Sequence, residues 1–276
     1  MTAVPLRIAV LGLGEAGGHI SADLAAAGAA VSGFDPLVRT AGLRIPDGVR
    51  AADDAAEACR DADLVLSVNS AADALDALAQ GLPGCRPGVL WADLNTASPR
   101  RKEQVAMAAD GAVDVVDVAL LSPVPGNGLR TPMAVSGPGA VRYAEALGAY
   151  GATVSVVDGP IGAAATRKLL RSVFYKGLAA AVIEALEGAR AAGLEEWLTA
   201  NIREELARSS AATLDRLVEG SIAHAVRREH EMAAAAELLD SLDVPARVTR
   251  ASRDWLADLA APPVTRFGTG NGPTCL

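Results

Sequence analysis

The chain has 276 residues, enough for one large domain or two ordinary ones, and 51% of them are hydrophobic although only 3% are aromatic. Its formal net charge of −8 argues against a dedicated nucleic-acid or membrane-surface binder, because both need a basic face. No stretch approaches the roughly 20 unbroken apolar residues that span a bilayer, and glycines interrupt the apolar run at the N-terminus too early for a signal peptide, so we expect a soluble cytoplasmic protein.

The pattern of the chain changes near Gly159. Before it, seven short apolar runs, each closed by Gly, Asp, Asn or Ser, alternate with helix-length segments; the runs are residues 7–12, 30–35, 63–69, 88–95, 114–121, 131–137 and 152–158. Strands separated by helices are typical of βαβ units on a mostly parallel sheet. From about 161 to 260 the pattern is helical, with breaks predicted at Pro245 and Pro262-Pro263, and a loose tail is predicted at 265–276.

The first predicted strand runs directly into GLGEAGG, in which Gly12, Gly14 and Gly17 have the spacing GxGxxG, and a predicted helix, HISADLAAAG, follows. Here Gly12 allows a tight turn, Gly14 lets the backbone approach a pyrophosphate, and Gly17 lets the helix pack on the strand. The helix N-terminus offers free N–H groups to the phosphates. The alternative is a glycine-rich turn that binds nothing. We predict an α/β protein with a Rossmann dinucleotide-binding domain at 1–159, a doubly wound sheet, followed by an all-α domain at 160–276.

The choice of dinucleotide depends on Asp35, which ends the second predicted strand 18 residues after Gly17. A carboxylate there can accept hydrogen bonds from the adenine ribose and repels a 2′-phosphate, which favours NAD over NADP. Arg39 could instead pair with a 2′-phosphate, or be an ordinary solvated arginine. The predicted cofactor is therefore NAD or NADP, with NAD favoured. The predicted cofactor-binding residues are Gly12, Leu13, Gly14, Glu15, Ala16, Gly17, Asp35, Arg39, Asn69, Ser70 and Asn95.

A polar cluster follows the strand predicted at 88–95, in the sequence WADLNTASPRRK. Ligands bind at the carboxyl ends of strands in doubly wound sheets, so Asn95 and Thr96 could bind a substrate or the nicotinamide side of the cofactor. Alternatively, Asn95, Thr96 or Ser98 caps the helix that Pro99 favours.

The segment GPIGAAATRKLLRS, residues 159–172, opens the helical half and carries Arg167, Lys168 and Arg171. A solvated basic helix start is one interpretation, but positive charge near a helix N-terminus costs energy. The other is a general acid/base, because a lysine beside other cations can have a lowered pKa. Lys168, Arg171 and Ser172 share one side of the predicted helix, which we expect to form a cleft wall at the domain junction.

A second cluster lies in HAVRREHEM, residues 224–232, where His224, Arg227, Arg228 and Glu231 can share a helical face. Such a face could bind an anionic group on a substrate, or it could be a salt-bridged helix with Arg227 paired to Glu231. No metal site is predicted, because His224 and His230 are six residues apart and face different sides.

The three cysteines lie at 59, 85 and 275 and have neither a CxxC nor a metal-site spacing. They are expected to be reduced and inert.

Taken in order, GLGEAG, the D-x-N-T-x-S-P pattern at 93–99 and G-x-x-G-x-x-x-x-x-K at 159–168 resemble the β-hydroxyacid dehydrogenase and 6-phosphogluconate dehydrogenase superfamily. The resemblance covers roughly residues 6–260, and KLLRSVFYKGL with HAVRREHEM is similar to the helical domain of phosphogluconate-dehydrogenase-like oxidoreductases. It implies an NAD(P)-dependent enzyme that transfers hydride to or from a small, anionic hydroxy or oxo compound. It also implies a homodimer.

The resemblance assigns roles by position. The family's substrate loop, D-x-S-T-x-x-P, is matched with Asn95 replacing the serine, and the family's catalytic lysine falls on Lys168. The asparagine one helical turn later is replaced by Ser172, and the serine-glycine-glycine loop is replaced by LLSPVPGNG around Ser122. Imine reductases resemble this architecture too and are one alternative, although the resemblance ties the retained lysine to alcohol and ketone chemistry. The missing asparagine and carboxylate loop leave a second alternative open, a non-catalytic nicotinamide-binding regulatory protein. The predicted catalytic residue is Lys168, and the predicted substrate-binding residues are Asn95, Thr96, Ser122, Arg171, Ser172, His224 and Arg228.

Overall fold

One eight-stranded sheet organises the first part of the computed structural model, which describes residues 5–261. Its strands are β1 (Arg7–Leu11), β2 (Ala30–Phe34), β3 (Arg50–Ala51), β4 (Leu64–Ser67), β5 (Leu90–Asp93), β6 (Asp114–Leu120), β7 (Met133–Ser136) and β8 (Val154–Val156). The order across the sheet is β3-β2-β1-β4-β5-β6-β7-β8, and every neighbouring pair is parallel except β6 with β7. The predicted doubly wound Rossmann sheet is confirmed.

All seven predicted strands are present, and the structure adds one that the sequence did not indicate. Strand β3 has two exposed residues and pairs only with β2, so it has no apolar run to mark it. By contrast β4 and β5 are buried at every position, because helices cover both faces of the parallel sheet. Two apolar cores result, one on each side of the strands.

Helices connect the strands and then replace them. Those of the sheet region are α1 (Glu15–Ala26), α2 (Pro36–Thr40), α3 (Ala55–Cys59), α4 (Ala74–Gly81), α5 (Pro99–Ala108) and α6 (Ala140–Gly148). Those that follow are α7 (Ala163–Ala191), α8 (Glu195–Ala207), α9 (Ala211–Ala223), α10 (Ala225–Ser241) and α11 (Arg247–Ala260). Two short 3₁₀ turns cover Leu82–Gly84 and Gly128–Arg130. The predicted helical half is confirmed, and within residues 5–261 no helix is long and apolar enough to cross a membrane.

Two helix boundaries are informative. Helix α1 begins at Glu15, four residues before the predicted His19, because Gly14 serves as its N-cap and the glycines of the loop form its first turn. Pro245 lies between α10 and α11, where a break was predicted. The predicted break at Pro262-Pro263, the predicted tail at 265–276 and Cys275 lie outside the described residues.

The chain forms two compact units that meet in sequence between Ser172 and Val173, inside α7. In the second unit α10 packs on α11 around Ala236, Leu239 and Ala246. The Glu184 carboxylate accepts the backbone N–H groups of Val248 and Thr249 and so caps the start of α11.

Candidate active site

A cleft of about 660 Å³ lies at the carboxyl ends of β1, β2, β4, β5 and β6. It is centred on the place where the strand order reverses between β1 and β4, which is where doubly wound sheets bind ligands. Nine of the predicted site residues line it together: Gly12, Gly14, Glu15, Ala16, Asp35, Asn69, Ser70, Asn95 and Thr96. The fold thus brings residues from four separate segments of the chain to one cleft.

The three motif glycines occupy three different environments. Gly12 has a φ of +98°, and a Cβ there would lie 2.3 Å from the Val68 carbonyl oxygen, so only glycine fits the turn. A Cβ at Gly17 would lie 1.9 Å from the Gly12 carbonyl oxygen, which is why α1 can pack so closely on the loop. A Cβ at Gly14 would meet no atom within 4 Å, and Gly14 lines the cleft. The backbone at Gly14 is therefore open to an approaching ligand at the N-terminus of α1.

Asp35 links the glycine loop to the second strand. Its Oδ2 accepts the N–H of Leu13 at 2.8 Å and its Oδ1 accepts the N–H of Leu37 at 2.8 Å, which caps α2. The carboxylate lines the cleft, and each oxygen keeps a lone pair for a further donor. Arg39 is exposed and donates to the Asp53 carbonyl oxygen at 2.6 Å, and neither of those two residues lines the cleft.

Asn95 sits at the floor of the cleft with an unused acceptor. Its backbone N–H donates to Asp93 Oδ1 at 2.9 Å, and its Nδ2 donates to Ser67 Oγ at 3.3 Å. Its Oδ1 is buried and has no hydrogen-bond partner among residues 5–261. A buried unpaired acceptor costs free energy, so an N–H donor from a ligand would be stabilised at this position.

Lys168 contacts Thr96, the residue after Asn95, at the edge of the cleft. Its Nζ donates a hydrogen bond to Thr96 Oγ1 at 2.6 Å, although the two residues are 72 positions apart in the chain. One turn further along α7, Arg171 Nη2 donates to the Leu121 carbonyl oxygen at 3.4 Å. Ser172 follows, half-buried, on the same side of the helix.

Comparison with known proteins identifies two parts of the chain. Residues 7–127 match the family model described as the NAD binding domain of 6-phosphogluconate dehydrogenase, and residues 189–259 match the domain of unknown function DUF1932. A conserved hypothetical protein from Sinorhizobium meliloti 1021 is 30% identical, with 98% of this chain and 94% of that chain covered and a TM-score of 0.59. The chain thus combines the NAD-binding domain of the 6-phosphogluconate dehydrogenase family with a DUF1932 domain. It therefore carries an NAD(P)-binding domain of the oxidoreductase type.

Two more distant structures share the fold. The conserved protein MTH1747, described as structurally similar to 3-hydroxyacid dehydrogenases, is 24% identical, with 92% of this chain and 98% of that chain covered and a TM-score of 0.58. An imine reductase from Myxococcus stipitatus in complex with NADP⁺ is 20% identical, with 92% and 94% covered and a TM-score of 0.75. At these identities the likeness concerns the fold alone.

Three further predicted substrate-binding residues, Ser122, His224 and Arg228, have their own local contacts. Ser122 is half-buried, and its hydroxyl has no hydrogen-bond partner in the described part of the chain. His224 lies between α9 and α10 rather than within one helix, and Arg228 donates to Ser221 Oγ at 2.7 Å. Both belong to the second unit, in which Arg227 forms the ion pair with Glu231 that was one of the two interpretations of this segment.

Sequence reasoning missed two charged residues beneath the site. Lys102 is only 1% exposed, and its Nζ donates to the Asp93 carbonyl oxygen at 2.6 Å and lies 3.4 Å from Asp117 Oδ1. Lys102 follows two arginines at the start of α5 and so resembled a solvated basic run. Asp117 did leave a signal, because a carboxylate inside the apolar run of β6 must be buried and paired. Ser98, by contrast, N-caps α5 as predicted, its Oγ accepting the N–H of Arg101 at 3.3 Å.

Two of the three cysteines, 26 residues apart in sequence, also lie together. The hydrogen bond with Cys85 and burial raise the pKa of the Cys59 thiol. A thiol that ionises with difficulty is a poor nucleophile, which agrees with the expected inertness of Cys59. Neither residue lines the cleft.

Proposed function

We propose that the protein is an NAD(P)-dependent oxidoreductase in which Lys168 is the general acid/base for a small, anionic hydroxy or oxo substrate. The observation that carries this proposal is the 2.6 Å hydrogen bond from Lys168 Nζ to Thr96 Oγ1 at the edge of the dinucleotide cleft. An ammonium and a hydroxyl donor then lie side by side, next to the space that the nicotinamide would reach.

The residues of the cleft fit a nicotinamide dinucleotide. The open space at Gly14 and the free N–H groups at the start of α1 would hold the pyrophosphate, and Asp35 would accept the ribose hydroxyls. The unpaired Oδ1 of Asn95 suits an amide donor such as the nicotinamide carboxamide. When bound, the cofactor supplies or accepts the hydride. The carboxylate of Asp35 favours NAD, because it would repel a 2′-phosphate.

Lys168 would move the proton. In oxidation its neutral amine takes the hydroxyl proton of the substrate, and in reduction its ammonium returns that proton to the developing alkoxide. Thr96 would orient the amine, and its hydroxyl could turn to the substrate oxygen when Lys168 is engaged. Arg171, one turn along α7, provides a positive charge that suits an anionic substrate group.

An imine substrate is the second candidate. The residues that replace the family's carboxylate loop, around Ser122, have no serine-glycine-glycine backbone to hold a carboxylate. Reduction of a C=N bond needs a proton donor beside the nicotinamide but no carboxylate site, and the imine reductase fold is shared over 92% of this chain. A nicotinamide-binding regulatory protein without turnover is the third.

A substrate screen with matched lysine variants tests these proposals. Nicotinamide absorbance would be followed with hydroxy acids, phosphorylated hydroxy acids, keto acids and cyclic imines, each with NAD(H) and NADP(H). Lys168→Ala is compared with Lys176→Ala, which removes an exposed lysine two turns along the same helix. We expect kcat/KM to fall about 10²- to 10⁴-fold in Lys168→Ala, the usual contribution of a general acid/base, and to be unchanged in Lys176→Ala.

Each outcome has a meaning. Turnover that survives in Lys168→Ala assigns proton transfer to another group and refutes the lysine mechanism. Turnover confined to cyclic imines replaces the hydroxy-acid proposal with the imine one. Tight cofactor binding with no turnover on any compound favours the regulatory protein.

We also propose that the second unit pairs with a second copy of the chain. Neither α8 nor α9 has a buried residue, yet both carry large exposed apolar side chains, among them Trp197, Leu214 and Leu217. Large apolar side chains that a folded unit leaves exposed are typical of protein interfaces where they form a patch. A second copy is the occupant that the superfamily resemblance implies, which would make residues 160–276 the substrate and dimerisation domain and 1–159 the dinucleotide-binding domain.

A further inference from the structure

Three charged side chains form a buried cluster beneath the cleft. Lys102 comes from α5, Asp93 from the end of β5 and Asp117 from the middle of β6, and none is more than 1% exposed. Lys102 Nζ lies 3.3 Å from Asp93 Oδ1 and 3.4 Å from Asp117 Oδ1. A buried ion pair often stabilises a fold no better than apolar residues of the same volume. The cluster therefore calls for an explanation other than stability.

One end of the cluster holds the start of α7. Asp117 Oδ2 accepts the N–H groups of Gly162 and Ala165, both at 3.0 Å. Ser136 Oγ accepts the N–H of Ala164 at 3.0 Å and donates to Asp117 Oδ2 at 3.3 Å. The first turn of α7 is thus capped by side chains from the sheet. Its N–H groups also compensate the second carboxylate of a cluster that has only one cation.

The other end holds the substrate loop. Lys102 Nζ donates to the Asp93 carbonyl oxygen at 2.6 Å, and Asp93 Oδ1 accepts the N–H of Asn95 at 2.9 Å. Thr96 is the next residue. Helix α7 and the loop are therefore connected in two places. The Lys168 to Thr96 hydrogen bond joins them on the cleft side, and the contacts of Lys102 join them from beneath.

We propose that Lys102 is a positioning residue that sets the distance between Lys168 and the Asn95–Thr96 loop through its simultaneous contacts with Asp93 and Asp117. Lys102 is buried and does not line the cleft, so it acts through the other groups. The consequence for catalysis rests on the proposed role of Lys168, whereas the positioning of the Lys168 side chain does not.

Lysine NMR tests the positioning directly, because the chain has three lysines, at 102, 168 and 176. With lysine labelled with ¹³C at Cε, the resonances are assigned by Lys168→Arg and Lys176→Arg. The Lys168 resonance and its pH titration are then followed in Lys102→Met, Asp117→Asn and the double variant. Arg100→Met, which removes an exposed cation from the same first turn of α5, is the matched control.

We expect Lys102→Met to move the Lys168 resonance and its titration midpoint, while Arg100→Met leaves both unchanged. The effects of Lys102→Met and Asp117→Asn should be strongly non-additive, because both cut the same link. The double variant removes one positive and one negative charge, so its shift cannot come from a change in net charge. If Lys102→Met alone does not fold, because two buried carboxylates are left without a cation, the double variant still tests the proposal, since only the Asp93 carboxylate remains.

Turnover supplies the second readout. In folded Lys102→Met protein, kcat should fall at least tenfold, while the Kd for NAD(P)H should change by a smaller factor, because the glycine loop that would hold the pyrophosphate is untouched. An unchanged Lys168 resonance in the folded single or double variant would overturn the proposal, as would strictly additive effects. If the resonance moves but Lys168→Ala turns over normally, the positioning holds and the proposed lysine mechanism fails.

Discussion

A substitution at Gly14 can weaken cofactor binding without destabilising the fold, because the space around this residue is open. Gly14 has a φ of −62°, which any residue adopts, and a Cβ there would meet no atom within 4 Å. Gly14→Ala should therefore leave the fold of the free protein intact. The same methyl group would stand where the pyrophosphate must approach the backbone, so the variant should bind NAD(P)H weakly.

The magnitudes can be worked from this geometry. Alanine is a poorer N-cap than glycine by roughly 0.5–1 kcal/mol, and Gly→Ala recovers roughly 0.4–1 kcal/mol from the unfolded chain. The two cancel, and Tm should change by less than about 2 °C. Forcing a methyl group into a close-packed contact costs about 1–3 kcal/mol, which corresponds to about a 5- to 150-fold increase in Kd.

Gly17→Ala is the matched variant with the opposite outcome. Its Cβ would lie 1.9 Å from the backbone oxygen of Gly12, so the helix or the loop must move. We expect a loss of about 1–3 kcal/mol in the free energy of unfolding, or a few degrees or more in Tm, without any cofactor present.

The assay combines thermal unfolding of the cofactor-free variants with calorimetric titration of NADH and NADPH. If Gly14→Ala binds both cofactors as tightly as the wild type, the pyrophosphate does not approach at Gly14. If it loses as much Tm as Gly17→Ala, the space at Gly14 is not open, and the assignment of separate roles to the two glycines is wrong.

Three further predictions concern charge and assembly. Asp35→Asn should lower the ratio of Kd(NADPH) to Kd(NADH) about tenfold by removing repulsion of the 2′-phosphate, and an unchanged ratio would assign the cofactor preference elsewhere. The hydrogen bond from Arg7 lowers the pKa of Asp63 from 3.8 to about 2. The ion pair therefore stabilises the fold at pH values above 3.8, the pKa of this carboxyl in the unfolded chain, and the stabilisation is lost as the pH falls through about 2. The Tm deficit of Asp63→Asn should accordingly be constant at pH 5–7 and disappear near pH 2, and a deficit that persists there would contradict the ion-pair explanation. Leu217→Asp should convert a dimer into a monomer in light scattering and lower Tm, because the association that stabilises the folded chain is lost, whereas a wild-type monomer would refute the proposed pairing.

The sheet could be predicted because strands that are buried on both faces appear in the sequence as short, continuous apolar runs. Strands β4 and β5 contain only buried positions and end at polar residues, so each appears as a bounded apolar run. Strand β3 has no such apolar run, since its two residues are exposed and the strand is defined only by its pairing with β2. The antiparallel direction of β7 is likewise set by its connection to β6 and not by its composition.

The part of the cleft that could be predicted is formed by residues that are close together in the sequence. The glycine loop is contiguous, and Gly12 and Gly17 meet steric requirements of the loop itself, whereas Gly14 is open to the cleft. Lys102 could not be found in this way, because Arg100 beside it is exposed and the basic run looks like a solvated helix start. Only the fold shows that Lys102 points beneath β5 and β6, where two carboxylates from different strands meet it.

The buried Asp117 also explains how α7 can begin with several positive charges. Arg167 and Lys168 lie in the second turn of the helix and Arg171 in the third, so the cost of each against the helix dipole is at most the roughly 0.3–1 kcal/mol of a cation in the first turn. The Asp117 carboxylate accepts two N–H groups of that same terminus, and a hydrogen bond to a charged group is worth about 1.5–3 kcal/mol. The stabilising contribution exceeds the cost, and it acts from the buried side of the helix. The chain can therefore place an ammonium group at the start of α7, beside Thr96 and the cleft, without unravelling the turn that carries it.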